Sequence, residues 1–287
     1  MMNNGSKTIS EIRRFLVAQL SKLFSENEAA STTRLILEHV GFNEYAILKE
    51  PSVQINSKTQ SEITKIVYEL KKNRPIQYIL GQTSFMDLSF LVDEQVLIPR
   101  SETEELVSRI LSKNKVGNPR IIDIGCGSGC IAIALAHYIP NSIVSAMDID
   151  AGALRLAKKN ALLNHVKVNF IHQSIFETET APQEDPYDII ISNPPYVTPA
   201  DKLSMLPNVT DYEPDLALYV PIDDPLVFYK EIIKFSKNRL SDSGEIWVEI
   251  NENFGNETKQ LFLDAGYKDA ELLEDIHGKD RFIKIMK

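Results

Sequence analysis

Near the middle of the 287-residue chain stands the run Ile121-Ile-Asp-Ile-Gly125-Cys-Gly127-Ser-Gly129-Cys-Ile-Ala-Ile-Ala-Leu-Ala. Its beginning predicts a buried strand, and the apolar run at its end predicts a helix. The glycines between them let the backbone turn sharply and come close to a ligand. The helix begins with N–H groups that have no partner inside it, so they are free to meet that ligand. A strand, a glycine-rich turn and a helix in this order indicate a parallel α/β sheet with a binding site.

Strand-like and helix-like segments alternate along the rest of this part of the chain. A charged helix is expected from Glu102 to Ser112. The expected strands lie near Arg120–Ile124, Ile143–Asp148, Lys167–His172, Tyr187–Ser192, Glu245–Ile250 and Phe282–Met286. Strands that alternate with helices form a mainly parallel sheet with helices on both faces.

Two further parts precede this sheet. Residues 1–75 carry apolar side chains at three- and four-residue steps, which predicts a small all-helical domain without chemistry of its own. Residues 76–98 contain a roughly alternating apolar and polar run, which predicts a β-hairpin connector. We therefore divide the chain into a helical domain (1–75), a hairpin connector (76–98) and an α/β domain (99–287).

Composition and charge exclude several classes of protein. Hydrophobic residues make up 43% of the chain and charged residues 25%, as in ordinary globular proteins. No segment reaches the roughly 20 apolar residues of a membrane helix, and the N-terminus lacks the apolar core of a secretory signal, so we expect a cytoplasmic protein. Residues 1–75 hold 11 basic and 8 acidic residues (net +3), and residues 76–287 hold 20 and 32 (net −12). The acidic larger part does not suit a protein that grips a long duplex, because such binding needs clustered lysine and arginine.

The cysteines and histidines indicate no metal centre. Cys126 and Cys130 are the two cysteines of the chain, and no Cys/His cluster lies nearby to complete a zinc site. The five histidines are scattered and form no HExxH motif. We expect neither a bound metal nor a covalent hydrolase.

The glycine-rich turn and a later acid point to a nucleoside-containing ligand. A dinucleotide fingerprint needs a third glycine where Cys130 stands, so the spacing disfavours a nicotinamide cofactor. Asp148 ends the next expected strand, 23 residues after Gly125, near the spacing of about 20 residues at which an acid meets ribose hydroxyls. A plain turn acid is the alternative for Asp148. Asp150 is expected to cap the helix that follows.

The four residues Asn193-Pro-Pro-Tyr196 follow another apolar strand and carry the chemistry. Ligands of parallel α/β sheets bind at this carboxyl edge. If the Asn193 side-chain oxygen and the Pro194 carbonyl each accept one hydrogen of a planar NH₂ group, that group is held in plane, and Tyr196 can stack on its flat face. A rigid Pro-Pro turn with no function is the alternative.

This arrangement suits attack by a neutral nitrogen on an electrophilic methyl group. The expected catalysis comes from orientation and from acceptors that face the charge developing on nitrogen. No general base is evident, and none is needed before the transfer.

These residues together resemble the class I S-adenosylmethionine-dependent methyltransferases, and more narrowly the peptide chain release factor N5-glutamine methyltransferase family. The resemblance covers residues 74–287 with specific motifs and residues 1–73 only as a helical domain of the expected size. Besides the glycine turn and Asn193–Tyr196, the motifs are Arg74–Gly81, Val96–Glu104, Tyr212–Pro214 with Ala217–Leu218, Glu249, Gly266–Tyr267 and Asp275–Arg281.

The resemblance implies a Rossmann-like methyltransferase domain with a mainly parallel seven-stranded sheet, which uses S-adenosylmethionine. It implies methylation of the glutamine in the Gly-Gly-Gln loop of class I release factors, with the helical domain contacting the release factor. We expect no direct nucleic-acid partner, no membrane and a monomer. The implied cofactor-binding residues are Gly125, Cys126, Gly127, Ser128, Gly129, Asp148, Ser174, Ile175 and Asn193. The implied substrate-binding residues are Asn193, Pro194, Pro195 and Tyr196, of which Asn193, Pro194 and Tyr196 are catalytic.

Two positions depart from the family pattern. Ser174 stands where the family usually has an acid that meets the adenine amino group, so adenine loses a charged acceptor there. Ser101 stands where proline is typical. Arg100 and Glu213 either shape the substrate channel or brace loops. Trp247 is expected to belong to the core rather than to a ligand platform, and Cys126 to be a small filler beside the cofactor rather than a reactive thiol.

Three other functions compete with this interpretation. Asn-Pro-Pro-Tyr can also hold the exocyclic amino group of a flipped adenine, but the −12 charge of residues 76–287 speaks against an adenine-N6 methyltransferase. A catalytically silent adaptor that binds the cofactor does not require an intact Asn193–Tyr196 motif. A dehydrogenase ranks last, because of the glycine spacing.

Overall fold

A computed structural model describes residues 7–113, 117–180 and 185–287. Within these ranges the chain forms two compact units. The first consists of residues up to Gly81 together with Pro207–Tyr212, and the second of Gln82–Leu206 together with Glu213–Lys287.

Five helices and one short β-bridge form most of the first unit. The helices are α1 (Ile9–Leu20), α2 (Glu26–His39), α3 (Glu44–Lys49), α4 (Ser57–Leu70) and α5 (Ile76–Leu80). The sequence did not predict the pairing of β1 (Lys7–Thr8) with β2 (Gln54–Ile55), because two-residue strands leave no periodic pattern. Side-chain oxygens cap the first four helices by accepting from backbone N–H groups of the first turn; the capping residues are Thr8, Ser25, Asn43 and Asn56.

The segment predicted as a hairpin connector differs in part from the expectation. An antiparallel hairpin, β3 (Gln82–Phe85) and β4 (Leu88–Leu91), lies where the alternating run predicted it. Ile76–Leu80 is helical instead, and Gly81 ends that helix in the left-handed conformation, at φ 71°. The hairpin therefore begins several residues later than position 76.

A seven-stranded sheet forms the centre of the second unit, as the resemblance implied. Its strands are β5 (Arg120–Ile124), β6 (Ile143–Asp148), β7 (Asn169–His172), β8 (Tyr187–Ser192), β9 (Leu240–Glu249), β10 (Asp269–Glu274) and β11 (Asp280–Met286). They lie in the order β7-β6-β5-β8-β9-β11-β10. The first five strands in that order are parallel, and β11 is antiparallel to both of its neighbours.

Helices cover both faces of this sheet. The covering helices are α6 (Ser101–Lys113), α7 (Cys130–Tyr138), α8 (Ala151–Leu163), α12 (Val227–Lys237) and α13 (Gly255–Asp264). The short helices α9 (Pro199–Lys202) and α11 (Asp215–Leu218) also belong to the second unit, while α10 (Pro207–Thr210) belongs to the first. Successive residues of one strand enter two separate hydrophobic clusters: Ile189 and Ile191 pack with α6 and α7, and Ile190 packs with α12 and α13. This alternation shows that the sheet is buried on both faces, as a parallel sheet requires.

Two strand predictions were incomplete. β10 was not predicted from the residues, because it lies at the edge of the sheet and half of its side chains are exposed. β9 starts at Leu240 rather than Glu245, since the polar run Ser241–Ser243 interrupts the apolar pattern near its start. Trp247 in β9 is fully buried, which confirms its assignment to the core.

Candidate functional site

A cavity of about 420 Å³ lies in the second unit at the carboxyl ends of β5, β6 and β8. The glycine-rich turn after β5 borders it, Asp148 at the end of β6 faces it, and Asn193–Pro195 after β8 close one side. The carboxyl edge of a parallel sheet is where such folds bind their ligands, and the volume is in the usual range for a small-molecule site.

The glycine-rich turn is anchored to the neighbouring strand. The backbone N–H groups of Gly125 and Cys126 both donate to the Met147 carbonyl, at 2.8 and 3.0 Å. Gly125, Cys126, Gly127 and Ser128 line the cavity. Gly129 instead packs against α8, where a Cβ on it would stand 3.1 Å from the Ala157 Cβ. Of the five implied turn residues, four therefore face the cavity and Gly129 sets the distance between turn and helix.

Asp148 is held in place by the backbone on two sides. Its Oδ2 accepts from the Gly127 N–H at 2.8 Å, and its Oδ1 accepts from the Asp150 N–H at 2.9 Å. Burial raises the pKa of Asp148, and the backbone donors partly oppose that rise. Asp150 accepts from the Ala153 N–H at 2.7 Å and caps α8, which confirms its predicted role.

The segment after β7 gives the cavity an apolar end. Ser174 and Ile175 both line the cavity, next to Phe176. The Ser174 hydroxyl accepts from the Phe176 N–H at 3.2 Å, so its oxygen already has one local partner. The Phe176 ring meets the Phe228 ring edge-on, with centroids 5.4 Å apart. Flat apolar side chains of this kind suit an aromatic base.

Asn193 belongs to a chain of side-chain hydrogen bonds that the sequence did not reveal. Its Nδ2 donates to the Thr103 hydroxyl at 3.1 Å, and that hydroxyl donates to Glu249 Oε2 at 2.8 Å. Glu249 is 1% exposed, and its other oxygen accepts from the Tyr196 hydroxyl at 2.9 Å. Burial raises the pKa of Glu249, whereas its two hydroxyl donors and the charge of Arg281 act in the opposite direction.

Tyr196 differs in position from the other residues of its motif. Asn193, Pro194 and Pro195 line the cavity, and Tyr196 is not among the lining residues. Its hydroxyl is bound to Glu249, and its carbonyl accepts from Asn251 Nδ2 at 3.1 Å. Burial raises the pKa of the Tyr196 phenol, with the charge of Glu249 acting in the same direction.

Arg100 and Glu213 form an ion pair with an N–O distance of 2.5 Å, in which the Glu213 side chain is 1% exposed. The second Glu213 oxygen accepts from the Ile98 N–H at 3.3 Å. The pair therefore braces the segment before α6. Arg100 also lines the cavity. The ion pair agrees with a role in bracing a loop, and the place at the cavity is compatible with a role in shaping the substrate channel.

Comparison with known proteins shows to which family the chain belongs. A family model for the methyltransferase small domain matches residues 102–208. A release factor glutamine methyltransferase from Flavobacterium psychrophilum is 42% identical over 284 residues, which cover 96% of this chain and 98% of that protein. The chain belongs to the release factor glutamine methyltransferase family. A second member, from Bacteroides thetaiotaomicron, is 38% identical over 276 residues, covering 96% of this chain and 99% of that one.

Solved structures agree with this family in fold. A methyltransferase from Pyrococcus furiosus superposes with a TM-score of 0.51 at 17% identity, covering 81% of this chain and 99% of that one. A 16S rRNA methyltransferase from T. thermophilus, in complex with AdoMet and guanosine, gives 0.51 at 15% identity, covering 72% and 49%. The predicted family and the Rossmann-like fold are confirmed.

Thr103 and Glu249 are, besides Phe176, residues of the site whose roles were not predicted from the sequence. Both stand in motifs of the release factor glutamine methyltransferase family, but neither follows a glycine turn or ends an expected strand next to the site.

Within the described residues, none of the helices has the length and apolar character that crossing a membrane requires.

Proposed function

We propose that this chain transfers the methyl group of S-adenosylmethionine to the side-chain amide nitrogen of the glutamine in the Gly-Gly-Gln loop of class I release factors. The observation that carries this proposal is that Asn193 and Pro194 share one cavity with the glycine-rich turn and Asp148. An NH₂-binding group thus lies beside a nucleoside-binding group, in a chain whose relatives are named release factor glutamine methyltransferases. The reaction is expected in the cytoplasm, where translation terminates.

The cavity fits a cofactor that combines a ribose, an aromatic base and positive charge. The charged side chains that line it are three carboxylates, Glu94, Asp148 and Asp150, and the guanidinium of Arg100. The Asp148 carboxylate is fixed by backbone donors and can accept from ribose hydroxyls with its remaining lone pairs. Ile175 and Phe176 offer apolar surface to adenine, and the Ser174 hydroxyl offers an uncharged hydrogen-bonding group in place of the usual acid.

When bound, S-adenosylmethionine supplies an electrophilic methyl group on a positively charged sulfur. The Asn193 side-chain oxygen and the Pro194 carbonyl accept the two amide hydrogens of the substrate glutamine, which holds its nitrogen in place and keeps electron density on it. Preorganised acceptors of this kind stabilise the positive charge that develops on the nitrogen. The Tyr196 hydroxyl donates to Glu249, and this hydrogen bond helps to hold the turn in place.

The charges and atoms of the transfer balance without a base that acts first. With the cofactor bound, transfer of its methyl group would replace a sulfur–carbon bond by the new nitrogen–carbon bond and would leave a neutral thioether. The nitrogen then releases one proton to water, which leaves the N-methylated amide. Because the nucleophile reacts as a neutral group, orientation supplies most of the rate enhancement.

We also propose that the first unit recognises the body of the release factor. It exposes aromatic and apolar side chains, with Tyr45 and Leu48 70% and 73% exposed on α3 and Tyr68 59% exposed on α4. If these side chains contact the release factor, Tyr45→Ser should raise KM for the intact protein and leave KM for a short Gly-Gly-Gln peptide unchanged. An equal effect on both substrates would contradict this role.

The class of substrate is tested by offering radiolabelled S-adenosylmethionine with unmodified release factor in one reaction and unmethylated DNA in another. We expect label on the release factor and none on DNA. Label on adenine would establish the nucleic-acid alternative. Binding of the cofactor without transfer to either substrate would favour the silent adaptor.

A further inference from the structure

The Thr103 hydroxyl connects the buried Glu249 carboxylate to the Asn193 amide. Thr103 lies in the first turn of α6 and is 3% exposed, and Glu249 is the last residue of β9. Both residues therefore belong to rigid elements of the second unit. The Thr103 hydroxyl oxygen lies 2.8 Å from Glu249 Oε2 and 3.1 Å from Asn193 Nδ2.

The chemistry of these groups determines which atom donates and which accepts in each hydrogen bond between Asn193, Thr103 and Glu249. When Glu249 is ionised, its carboxylate only accepts, so the hydroxyls of Thr103 and Tyr196 both donate to it. The single proton of the Thr103 hydroxyl is then committed, and its oxygen can only accept from Asn193. Asn193 must therefore present Nδ2 to Thr103, which leaves Oδ1 for a ligand in the cavity.

We propose that Glu249 and Thr103 are positioning residues that hold the Asn193 amide with its oxygen toward the substrate glutamine. This proposal rests on the proposed function. With the amide turned over, the Asn193 NH₂ group would face the NH₂ group of the glutamine, and two donors cannot bond to each other. The correct orientation is thus a requirement for holding the nucleophile.

The surroundings of Glu249 keep it in one place. The Tyr229 hydroxyl donates to the Glu249 backbone carbonyl at 3.0 Å, and Tyr229 is 1% exposed. This contact fixes the backbone of Glu249 but does not belong to the chain that leads to Asn193. Tyr229 therefore offers a control: its hydroxyl contacts the same residue without reaching the amide.

The test compares Thr103→Val, which has nearly the same shape but no hydroxyl, with Thr103→Ser, which keeps the hydroxyl. Misplacing a reacting group lowers rates on the order of 100-fold, so we expect kcat of Thr103→Val to fall by about 100-fold with KM for S-adenosylmethionine unchanged. The kcat of Thr103→Ser should stay within a few-fold of that of the unchanged protein. Tyr229→Phe should keep kcat within about twofold, because it removes one hydroxyl from Glu249 without touching the amide chain.

The opposite results would overturn the proposal. They are a Thr103→Val kcat within a few-fold of the original, a Thr103→Ser variant as slow as Thr103→Val, or a Tyr229→Phe variant as slow as either. Loss of S-adenosylmethionine binding in parallel with kcat would also contradict a positioning role, since it would indicate general damage to the fold.

A measurement without turnover separates this proposal from the function on which it rests. In protein labelled with nitrogen-15 at asparagine, the Asn193 side-chain amide can be assigned by its absence in Asn193→Ala. We expect its hydrogens to exchange with solvent slowly in the unchanged protein and in Thr103→Ser, and faster in Thr103→Val. Equal exchange in all three would refute the orientation, whereas failure of the unchanged protein to methylate release factor would refute only the proposed function.

Discussion

Replacing Gly129 with alanine tests how the glycine-rich turn is built. Gly129 has φ +80°, and a Cβ placed on it would stand 3.1 Å from both the Ala157 Cβ and the Ile133 Cδ1. A left-handed conformation costs a residue with a side chain roughly 1–2 kcal/mol. Overfilling a packed interior costs typically about 1–3 kcal/mol more. We therefore expect Gly129→Ala to lower the free energy of unfolding by about 2–5 kcal/mol.

Gly125→Ala is the matched control within the same turn. Gly125 has φ +73°, nearly the same backbone conformation, but among the described residues, its two chain neighbours aside, nothing lies within 4 Å of the position its Cβ would take. Only the backbone cost remains, roughly 1–2 kcal/mol. Urea denaturation of both variants without cofactor measures the difference. Equal destabilisation of the two variants, or a Gly129→Ala variant as stable as the original, would refute the conclusion that Gly129 is required for the contact with α8.

Two further predictions concern the acids near the turn. Asp148→Asn keeps the shape but loses the charge that accepts from the ribose hydroxyls, so the affinity for S-adenosylmethionine should fall by roughly tenfold or more, while Asn193→Ala should abolish turnover and leave that affinity nearly intact. Calorimetric titration of both variants checks this, and the reverse pattern would contradict the assigned roles. Asp123 is fully buried below the turn, and burial raises its pKa from 3.8 to about 7. Because the unfolded chain releases this proton at lower pH than the folded protein does, stability is expected to fall as pH rises from about 4 to 7, at about 1.4 kcal/mol per pH unit. Urea denaturation at several pH values should show this loss in the original protein and not in Asp123→Asn, and parallel pH profiles would contradict it.

The sequence predicted the parts of the fold and site that depend on local pattern. Apolar strands that alternate with helices give the parallel sheet, and motifs that follow β5, β6 and β8 meet at one edge because parallel strands end there. For this reason Gly125–Ser128, Asp148 and Asn193–Pro195 could be assigned to one site before any contact was known.

The remaining features depend on contacts between distant parts of the chain. Thr103 and Glu249 are 146 residues apart, and only the folded sheet brings the first turn of α6 against the end of β9. The hydrogen bond from the Tyr196 hydroxyl to Glu249 likewise joins residues that are far apart in the sequence. The edge strand β10 was missed because half of its side chains are exposed and only Ala270 is buried, so its hydrophobic pattern is weak.

Mass spectrometric mapping of the methyl group on the release factor shows directly which atom the chain methylates. Unmodified release factor is incubated with S-adenosylmethionine carrying a deuterated methyl group and with either the unchanged protein or Asn193→Ala, and its peptides are then fragmented. We expect one deuterated methyl group on the side-chain amide of the loop glutamine, and none with Asn193→Ala. A methyl group on any other residue, or equal labelling by both proteins, would contradict the proposed function.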